Sequence, residues 1–217
     1  MTKKITAVFL VTITCMLAAN GQIARHSTLA GGQVFYSNSK IQYSSVFPAQ
    51  KDSRTAITLS VGKALKENSV YGFNLTYQPV ADKNFFNGST FINFKSNEYD
   101  IGIFNRQYKK LITDLYAFVE TGIAYVTIRN SSKDTLGNAL ETVKVSGGQL
   151  NITPGLSYRL IKKLHVEITI PNLVLMQYAI SKDITPQLSA KQHQFLLTSS
   201  LSSTNITSLA VGFHFIL

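Results

Sequence analysis

The stretch Leu209-Ala210-Val211-Gly212-Phe213-His214-Phe215-Ile216-Leu217 places apolar side chains at every odd position and small or polar ones at most even positions. Alternation with a period of two predicts a β-strand with one apolar face and one polar face. In a soluble sandwich the apolar face would meet a protein core, whereas in an outer-membrane barrel it would meet lipid. The rest of the chain decides between these two folds.

The opposite end of the chain has the pattern of a secretory signal peptide. Lys3 and Lys4 form a basic segment, residues 5–18 form an apolar run, and small residues at 19 and 21 suit cleavage before Gln22. A membrane anchor needs about 20 apolar residues, and this run is shorter. We therefore expect residues 1–21 to be a cleavable signal peptide and residues 22–217 to form one domain.

Charge and cysteine content narrow the function classes. Residues 22–217 contain no cysteine and carry a net charge of +8, because 19 Lys and Arg stand against 11 Asp and Glu. A basic chain with aromatic residues is compatible with nucleic-acid binding. However, the basic residues are dispersed, and a secreted chain leaves the cytoplasm, so we expect no nucleic-acid partner. Outer-membrane lipid and lipopolysaccharide phosphates are the expected partners of this charge.

Segments rich in β-branched and aromatic residues follow one another along the chain, and none has helical periodicity. Short basic connections alternate strictly with long polar ones, as in a transmembrane barrel with tight inner turns and longer outer loops. The predicted strands are 29–38, 55–65, 69–79, 97–108, 114–129, 144–160, 164–181 and 204–217. The short turns are 66–68, 109–111 and 161–163, and the long loops are 39–54, 80–96, 130–143 and 182–203.

Side-chain parity assigns each predicted strand an outward face without charge and an inward face that is polar or small. Parity alone does not distinguish a lipid-facing barrel from a soluble β-domain with a buried apolar face. The outward residues are Ile57, Leu59, Val61, Tyr71, Phe73, Leu75, Tyr77, Tyr99, Ile101, Ile103, Leu115, Ala117, Val119, Ile123, Tyr125, Leu150, Ile152, Leu156, Tyr158, Leu164, Val166, Ile168, Ile170, Leu209, Val211, Phe213, Phe215 and Leu217.

Four charged residues fall on the inward faces of four consecutive strands. An eight-stranded barrel is too narrow for a wide channel, so its inward polar groups must satisfy one another. Arg106, Glu120, Arg159 and Glu167 balance in charge and are predicted to form a buried ion-pair cluster. The alternative is that some of them lie near a rim in contact with water. Either arrangement is structural and not catalytic.

Several segments resemble the small porin-family outer-membrane β-barrel domain of Bacteroidota, of the eight-stranded OmpX and OmpW type. The resemblance lies in residues 104–108, 115–125, 152–158 and 209–213 and extends over residues 22–217. Gly212, Phe215 and Leu217 are similar to the C-terminal signal that the barrel-assembly machinery reads. The chain departs from that signal by ending on Leu217 instead of an aromatic residue and by having Ala210 where a polar residue is usual.

Other functions remain open at this point. A lipid-modifying enzyme of the outer membrane would use Ser, His and a carboxylate, and His193 precedes the serine-rich residues 199–203. A soluble lipocalin-like barrel would bind an apolar ligand inside, and a narrow barrel would pass small apolar solutes. Phe85 and Phe86 in the second long loop are candidates for a contact surface or for the aromatic belt.

Together these observations predict an all-β, eight-stranded, antiparallel up-and-down barrel in the outer membrane of a Gram-negative bacterium. We expect a structural or surface-interaction role, a side-chain-filled interior, and no catalytic site. Four scattered histidines and the missing cysteines indicate no metal site and no cofactor. An extracellular ligand would be bound through loops 39–54 and 80–96.

Overall fold

The computed structural model describes residues 23–41, 49–86, 91–134, 137, 139–183, 190–199 and 209–217. The predicted signal peptide lies outside these residues. No helix among the described residues is long and apolar enough to cross a membrane. The strands are β1 (Thr28–Ile41), β2 (Gln50–Lys66), β3 (Ser69–Phe86), β4 (Phe91–Ile112), β5 (Leu115–Asp134), β6 (Ala139–Ile161), β7 (Leu164–Thr169), β8 (Val174–Asp183), β9 (Lys191–Thr198) and β10 (Ala210–Ile216).

These strands form one antiparallel sheet that closes on itself. Strands β1 to β6 pair in chain order, and the ring continues from β6 through β7 and β10 back to β1. Closure depends on a register in which Leu29 faces Ile216 and Phe35 faces Ala210. Closure removes the free edge of β1 as far as Phe35, whereas β9 pairs with β8 alone among the described strands. Pairing of this kind stabilises barrels without disulfides.

The ten strands occupy eight positions around the ring. β7 and β8 pair with successive parts of β6 and therefore share the seventh position. β9 lies beside β8 and β10 beside β7, so these two strands share the eighth. The eight positions around the ring confirm the prediction of an eight-stranded antiparallel up-and-down barrel.

The break between β7 and β8 was not predicted, because residues 164–181 were expected to form a single strand. Pro171 has no N–H to donate to a ladder, and Asn172 adopts a left-handed backbone with φ of 52°. Four residues, 170–173, therefore lie opposite Thr153 and Pro154 of β6 and form a bulge. The Asn172 N–H donates to Thr153 Oγ1 at 3.3 Å, which holds this bulge against β6.

The three short turns and both ends of the described chain lie at one end of the barrel, here called the inner end. The first turn is at Glu67 and Asn68, where Asn68 adopts a left-handed φ of 58°, and the third is at 162–163. The second turn lies at Thr113 and Asp114 and not at 109–111, because β4 continues to Ile112. The opposite end, with the long connections, is the outer end.

The strands reach further toward the outer end than predicted. Half of loop 39–54 and most of loop 80–96 is strand, because β1 runs to Ile41, β2 begins at Gln50, β3 ends at Phe86 and β4 begins at Phe91. Apolar and polar residues do not alternate regularly in these segments, since polar residues follow one another at 50–54 and apolar ones at 85–86 and 91–92, so periodicity does not identify them as strands. The side chains of Phe85 and Phe86 lie outside the described part of the structure, and their proposed contact role stays a prediction.

The predicted faces agree with the exposure of the side chains. Apolar residues on the outward faces of β2, β3, β4 and β10 are largely exposed, as for Phe73 at 64% and Ile101 at 61%. Ile170 is the exception, since it belongs to the bulge and not to a strand. The buried apolar side chains instead fill the inside of the barrel at its inner end: Ile23, Leu29, Ala64, Val70, Phe104, Tyr108, Tyr116 and Phe118.

Candidate functional site

A buried ion cluster closes the inner end of the barrel. Arg106 on β4 donates from Nε to Glu120 Oε2 on β5 at 2.8 Å and from Nη1 to Glu167 Oε2 on β7 at 2.8 Å. The Arg106 and Glu167 side chains are only 3% and 1% exposed. The register places Arg106 directly opposite Glu120, whereas the Glu167 contact crosses the inside of the barrel. The two strands are not neighbours, so this ion pair blocks the lumen.

Glu167 is the centre of the cluster. His214 Nδ1 on β10 lies 2.8 Å from Glu167 Oε2, and the Tyr108 hydroxyl donates to Glu167 Oε1 at 3.4 Å. The next interior histidine, His165, exchanges a hydrogen bond of 3.1 Å with Ser157 Oγ. These contacts satisfy most polar atoms at the inner end, as the low dielectric of a filled interior requires.

Aromatic rings surround the guanidinium of Arg106. Its Cζ lies 4.5 Å from the Phe118 ring centroid and 5.7 Å from that of Phe104. Both rings are buried, at 3% exposure each. A desolvated cation over aromatic faces gains up to about 2 kcal/mol per contact. Ions and rings together therefore form one plug, here called the inner plug: Phe104, Arg106, Tyr108, Phe118, Glu120, Glu167 and His214.

Arg159 does not join the predicted four-residue cluster. Its Nε donates to Asp114 Oδ1 at 2.9 Å, and the two side chains are 34% and 39% exposed. Arg159 lies two residues from the end of β6, and Asp114 lies in the turn between β4 and β5. Parity placed Arg159 on the correct face but gave no depth, so the residue is at the inner rim instead of the centre.

His214 takes the position that was expected for Arg159. His214 was not among the residues predicted to form the ion cluster. The sequence did contain a signal for the contact between His214 and Glu167, because parity places both residues on the inward faces of neighbouring strands. In the register, His214 faces His165, and Gly212 faces Glu167.

A cavity of about 890 Å³ lies between the inner plug and the outer end of the barrel. The interior is therefore filled only in its inner half, which corrects the expectation of a fully filled barrel. The reason is side-chain size, since small residues such as Gly122, Ala124, Thr58 and Thr76 line much of this half, where Phe35 and Tyr36 are the aromatic residues of the lining. Amide side chains complete the polar lining: Gln33, Asn74, Gln78, Gln149, Asn151, Asn172 and Gln177.

Glu98 and Asp100 of β4 both line this cavity, two residues apart on one face of the strand. Asp100 is only 8% exposed. Its Oδ2 accepts a long hydrogen bond of 3.4 Å from Gln149 Nε2, whereas its Oδ1 is buried without a hydrogen-bond partner among the described residues. Within the described ranges, no three His, Cys, Asp or Glu side chains are grouped as metal ligands.

At the outer end, the inward and outward faces of the barrel wall carry charges of opposite sign. The inward faces carry carboxylates, and Arg54 on the same face pairs with Asp52 at 3.1 Å. The outward faces carry exposed basic residues just beyond the tyrosines Tyr36, Tyr77, Tyr99, Tyr125 and Tyr178. These basic residues, here called the outer basic ring, are Lys40, Lys51, Lys83, Lys95, Arg129, Lys133, Lys144, Lys182 and Lys191.

Two carboxylates meet at the outer end of the β2–β3 ladder. Asp82 faces Asp52 directly in the register, five residues beyond Tyr77. Burial, together with the neighbouring Asp52, raises the pKa of Asp82 to about 6, and Arg54 opposes this shift. Proton uptake by Asp82 therefore relieves a repulsion between like charges.

The C-terminal residues lie where the ring closes. Phe215 and Leu217 point outward, at 45% and 60% exposure. Gly212 packs against β1 so closely that a Cβ would come within 2.6 Å of the Gly32 carbonyl oxygen. These positions are compatible with an assembly signal on the outer face of the last strand, which stays a prediction.

The candidate serine and histidine pair is not assembled in the described residues. His193 lies on the exposed strand β9, and its Nδ1 is 2.7 Å from the Tyr178 hydroxyl on β8. Ser199 donates to the Leu173 carbonyl at 2.7 Å. The other serines of that segment, 200, 202 and 203, lie outside the described part of the chain.

No family model matches the chain, and no curated protein matches it. Among solved structures, the chain is similar to the Neisserial surface protein A (NspA), with 11% identity and a TM-score of 0.36 over 88% of this chain and 96% of that one. It is also similar to a major outer membrane protein from Thermus thermophilus, with 10% identity and a TM-score of 0.42 over 88% of this chain and 99% of that one.

Proposed function

We propose that this chain is an integral outer-membrane β-barrel protein of a Gram-negative bacterium, of the small porin-family type found in Bacteroidota. In this proposal it has a structural or surface-interaction role. It catalyses no reaction and provides no wide pore. The observation that carries the proposal is the belt of exposed apolar side chains around a barrel with a polar interior.

The belt is too large for a protein surrounded by water. Soluble monomers expose apolar patches of about 300–600 Å² at most. Here the exposed apolar residues follow one another around most of the ring, as with Leu59, Leu75 and Ile101 at one level of β2, β3 and β4. Hydrocarbon is the medium that accepts such a surface without cost, since the closed ladder through β1 to β7 and β10 pairs the backbone of the strands that carry most of it.

Tyrosines at the outer edge of the belt support the same placement. Tyr77 and Tyr99 lie opposite each other, with ring centroids 5.0 Å apart. Tyr125 and Tyr178 both face Gly148 of the strand between them, so they lie at one level. Aromatic residues with one polar atom favour the membrane interface, because the ring contacts acyl chains while the hydroxyl meets water.

The inner plug supports the absence of a wide pore. Arg106 and Glu167 meet across the lumen, and the aromatic rings fill the remaining space at that level. The mostly polar lining of the cavity also argues against the alternative of a narrow barrel for apolar solutes and against a lipocalin-like ligand site. In planar bilayers, we expect the reconstituted protein to give no steady conductance of the porin kind, and a steady porin-like current would overturn this part of the proposal.

The test of location is fractionation of a Gram-negative host that expresses the full chain. We expect the protein in the outer-membrane fraction, released only by detergent, and with different mobility in boiled and unboiled gel samples. A folded protein in the aqueous supernatant would overturn the proposal.

A pair of substitutions gives a second test. Leu75→Arg, at the centre of the belt, should lower the free energy of unfolding in a bilayer by about 2–4 kcal/mol, whereas Ala81→Arg, outside the belt on the same face, should lower it by at most about 1 kcal/mol.

The outer basic ring is proposed to bind the phosphates of lipopolysaccharide. Its residues face outward beyond the tyrosines, where lipid head groups would lie, and neighbouring strands place them side by side, as with Arg129 and Lys144. Cations near an anionic lipid surface gain about 1 kcal/mol each. Lipopolysaccharide in vesicles should therefore raise the urea midpoint of the folded barrel.

A variant with Lys83, Lys95, Arg129 and Lys144 replaced by Gln should lose most of that gain. The matched control replaces four lysines at the inner end, Lys63, Lys66, Lys109 and Lys110, and should retain it. An equal loss in both variants would show a response to net charge and would contradict binding at the ring. The barrel-assembly machinery is the further proposed partner, through Gly212, Phe215 and Leu217.

A further inference from the structure

The cavity above the inner plug contains more negative charge than its surroundings neutralise. Its lining includes Asp52, Glu98, Asp100 and Glu120 as acids and Arg54 as the cation. Asp52 pairs with Arg54, and Glu120 pairs with Arg106 of the plug. Among the described residues, Glu98 and Asp100 have no cationic side chain within 4.0 Å.

These two carboxylates are held where water solvates them poorly. Asp100 is more than nine-tenths buried, and its Oδ1 has no donor from the described part of the chain. Glu98 and Asp100 lie two residues apart on the same inward face of β4, and both line the cavity. A buried carboxylate without a donor is costly, and two adjacent ones repel each other. A ligand with positively charged N–H donors would relieve both costs.

We propose that this cavity binds a small organic cation with a primary ammonium group, held by Glu98 and Asp100. An ammonium group has three donors, which suits two carboxylates and one of the amide or hydroxyl oxygens of the lining. The other amides and hydroxyls of the lining would bind polar groups along the rest of the ligand. The cavity volume lies in the range of about 300–1,000 Å³ that is typical of small-molecule sites.

An organic cation fits this lining better than a metal ion does. A bound calcium ion takes about 6–8 oxygen ligands at close range, and the Gln149 amide presents its N–H₂ group to Asp100 instead of its oxygen. The cavity is also much larger than an ion needs. The site depends on inward residues only, so the inference goes beyond the proposed function and holds in detergent as well as in a membrane.

The experiment uses the folded full barrel in detergent micelles, with 1,4-diaminobutane as the probe. 1,4-Butanediol, which has the same length without charge, is the matched ligand control, and Ca²⁺ tests the metal alternative. Binding is measured by calorimetry and by amide chemical shifts in labelled protein. We expect the diamine to bind and to shift the amides of Gly102 and Gln149, while butanediol binds far more weakly.

Variants then locate the site. Asp100→Asn and Glu98→Gln should each weaken diamine binding by about tenfold or more, the usual effect of losing a charge-assisted hydrogen bond. Asp82→Asn removes a charge of the same sign outside the cavity lining and should change binding less than about twofold. Gel mobility of unboiled samples verifies that each variant folds.

Three results would overturn the inference. One is equal binding of the diamine and the diol. Another is equal loss of binding in Asp82→Asn and Asp100→Asn, which would indicate unspecific attraction. The third is Ca²⁺ binding that depends on Glu98 and Asp100 while the diamine fails to bind.

Discussion

The inner and outer halves of this barrel share one wall and one alternation of side chains, yet their interiors differ completely. On β4 the inward residues change from Glu98, Asp100 and Gly102 in the outer half to Phe104 and Arg106 in the inner half. The inner half is filled, and its charges are paired. The outer half leaves space and unpaired carboxylates. Strand pairing therefore sets the diameter, whereas side-chain volume alone decides whether the lumen is closed.

The largest expected effect comes from removing the cation of the inner plug. Arg106→Ala would leave Glu120 and Glu167 buried without their partner, and stranding a buried charge costs about 3–5 kcal/mol. We expect a loss of that size in the free energy of unfolding, measured by urea titration in lipid vesicles. Arg159→Ala is the control, because its partly exposed pair with Asp114 should contribute at most about 1 kcal/mol. Similar losses in both variants would remove the distinction between plug and rim.

A smaller effect is expected from adding one methyl group to a glycine in the filled inner half or to a glycine beside the cavity. A Cβ at Gly72 would lie 2.2 Å from the Val61 carbonyl oxygen and 2.7 Å from the Phe104 ring, neither of which moves easily. At Gly122 the atom closest to the added Cβ is the Asn151 side-chain oxygen, which faces the cavity. Gly72→Ala should therefore destabilise the barrel by about 1–3 kcal/mol, and Gly122→Ala by clearly less. Equal costs in the same urea assay would mean that the outer half is packed as tightly as the inner half.

The smallest expected effect is a change of stability with pH that arises from Asp82 at the outer end. Because the folded pKa of Asp82 is raised to about 6, the folded state holds this proton more tightly than the unfolded state. The contribution is present below the unfolded pKa of about 4 and is lost as the pH rises through the folded pKa. Wild-type protein should thus lose some stability between about pH 4 and about pH 7 relative to Asp82→Asn. The comparison of the two urea midpoints isolates the interacting pair of Asp82 and Asp52 from the other carboxylates. A constant difference between the two urea midpoints across that pH range would contradict the expected contribution of Asp82.

The sequence was informative wherever the two faces of a strand meet different media. Outward residues such as Leu59, Phe73 and Phe213 were assigned correctly, because alternation is strong where one face is apolar. It was uninformative beyond the belt, where apolar and polar residues do not alternate regularly and the ends of β3 and β4 resembled loops. Strand bounds therefore failed at the outer end and held better at the inner turns.

The site was predicted less well than the fold, for a different reason. Parity gives the face of a residue but not its depth along the barrel, so Arg159 was grouped with Arg106 although it lies at the rim. Depth was available from the turns, since Arg159 is two residues from the end of β6. The empty outer half was also missed, because a polar inward residue was assumed to fill space. Thr58 and Gly122 are inward but too small to do so.

In the proposed outer-membrane location, the separation of charge at the outer end determines how permanent the insertion would be. Drawing the barrel back, or turning it over, would force the basic side chains of the outer end, such as Lys95 and Arg129, through hydrocarbon. Each such passage would cost about 2–4 kcal/mol at the midplane. The proposed orientation would therefore be kinetically trapped once these hairpins had crossed.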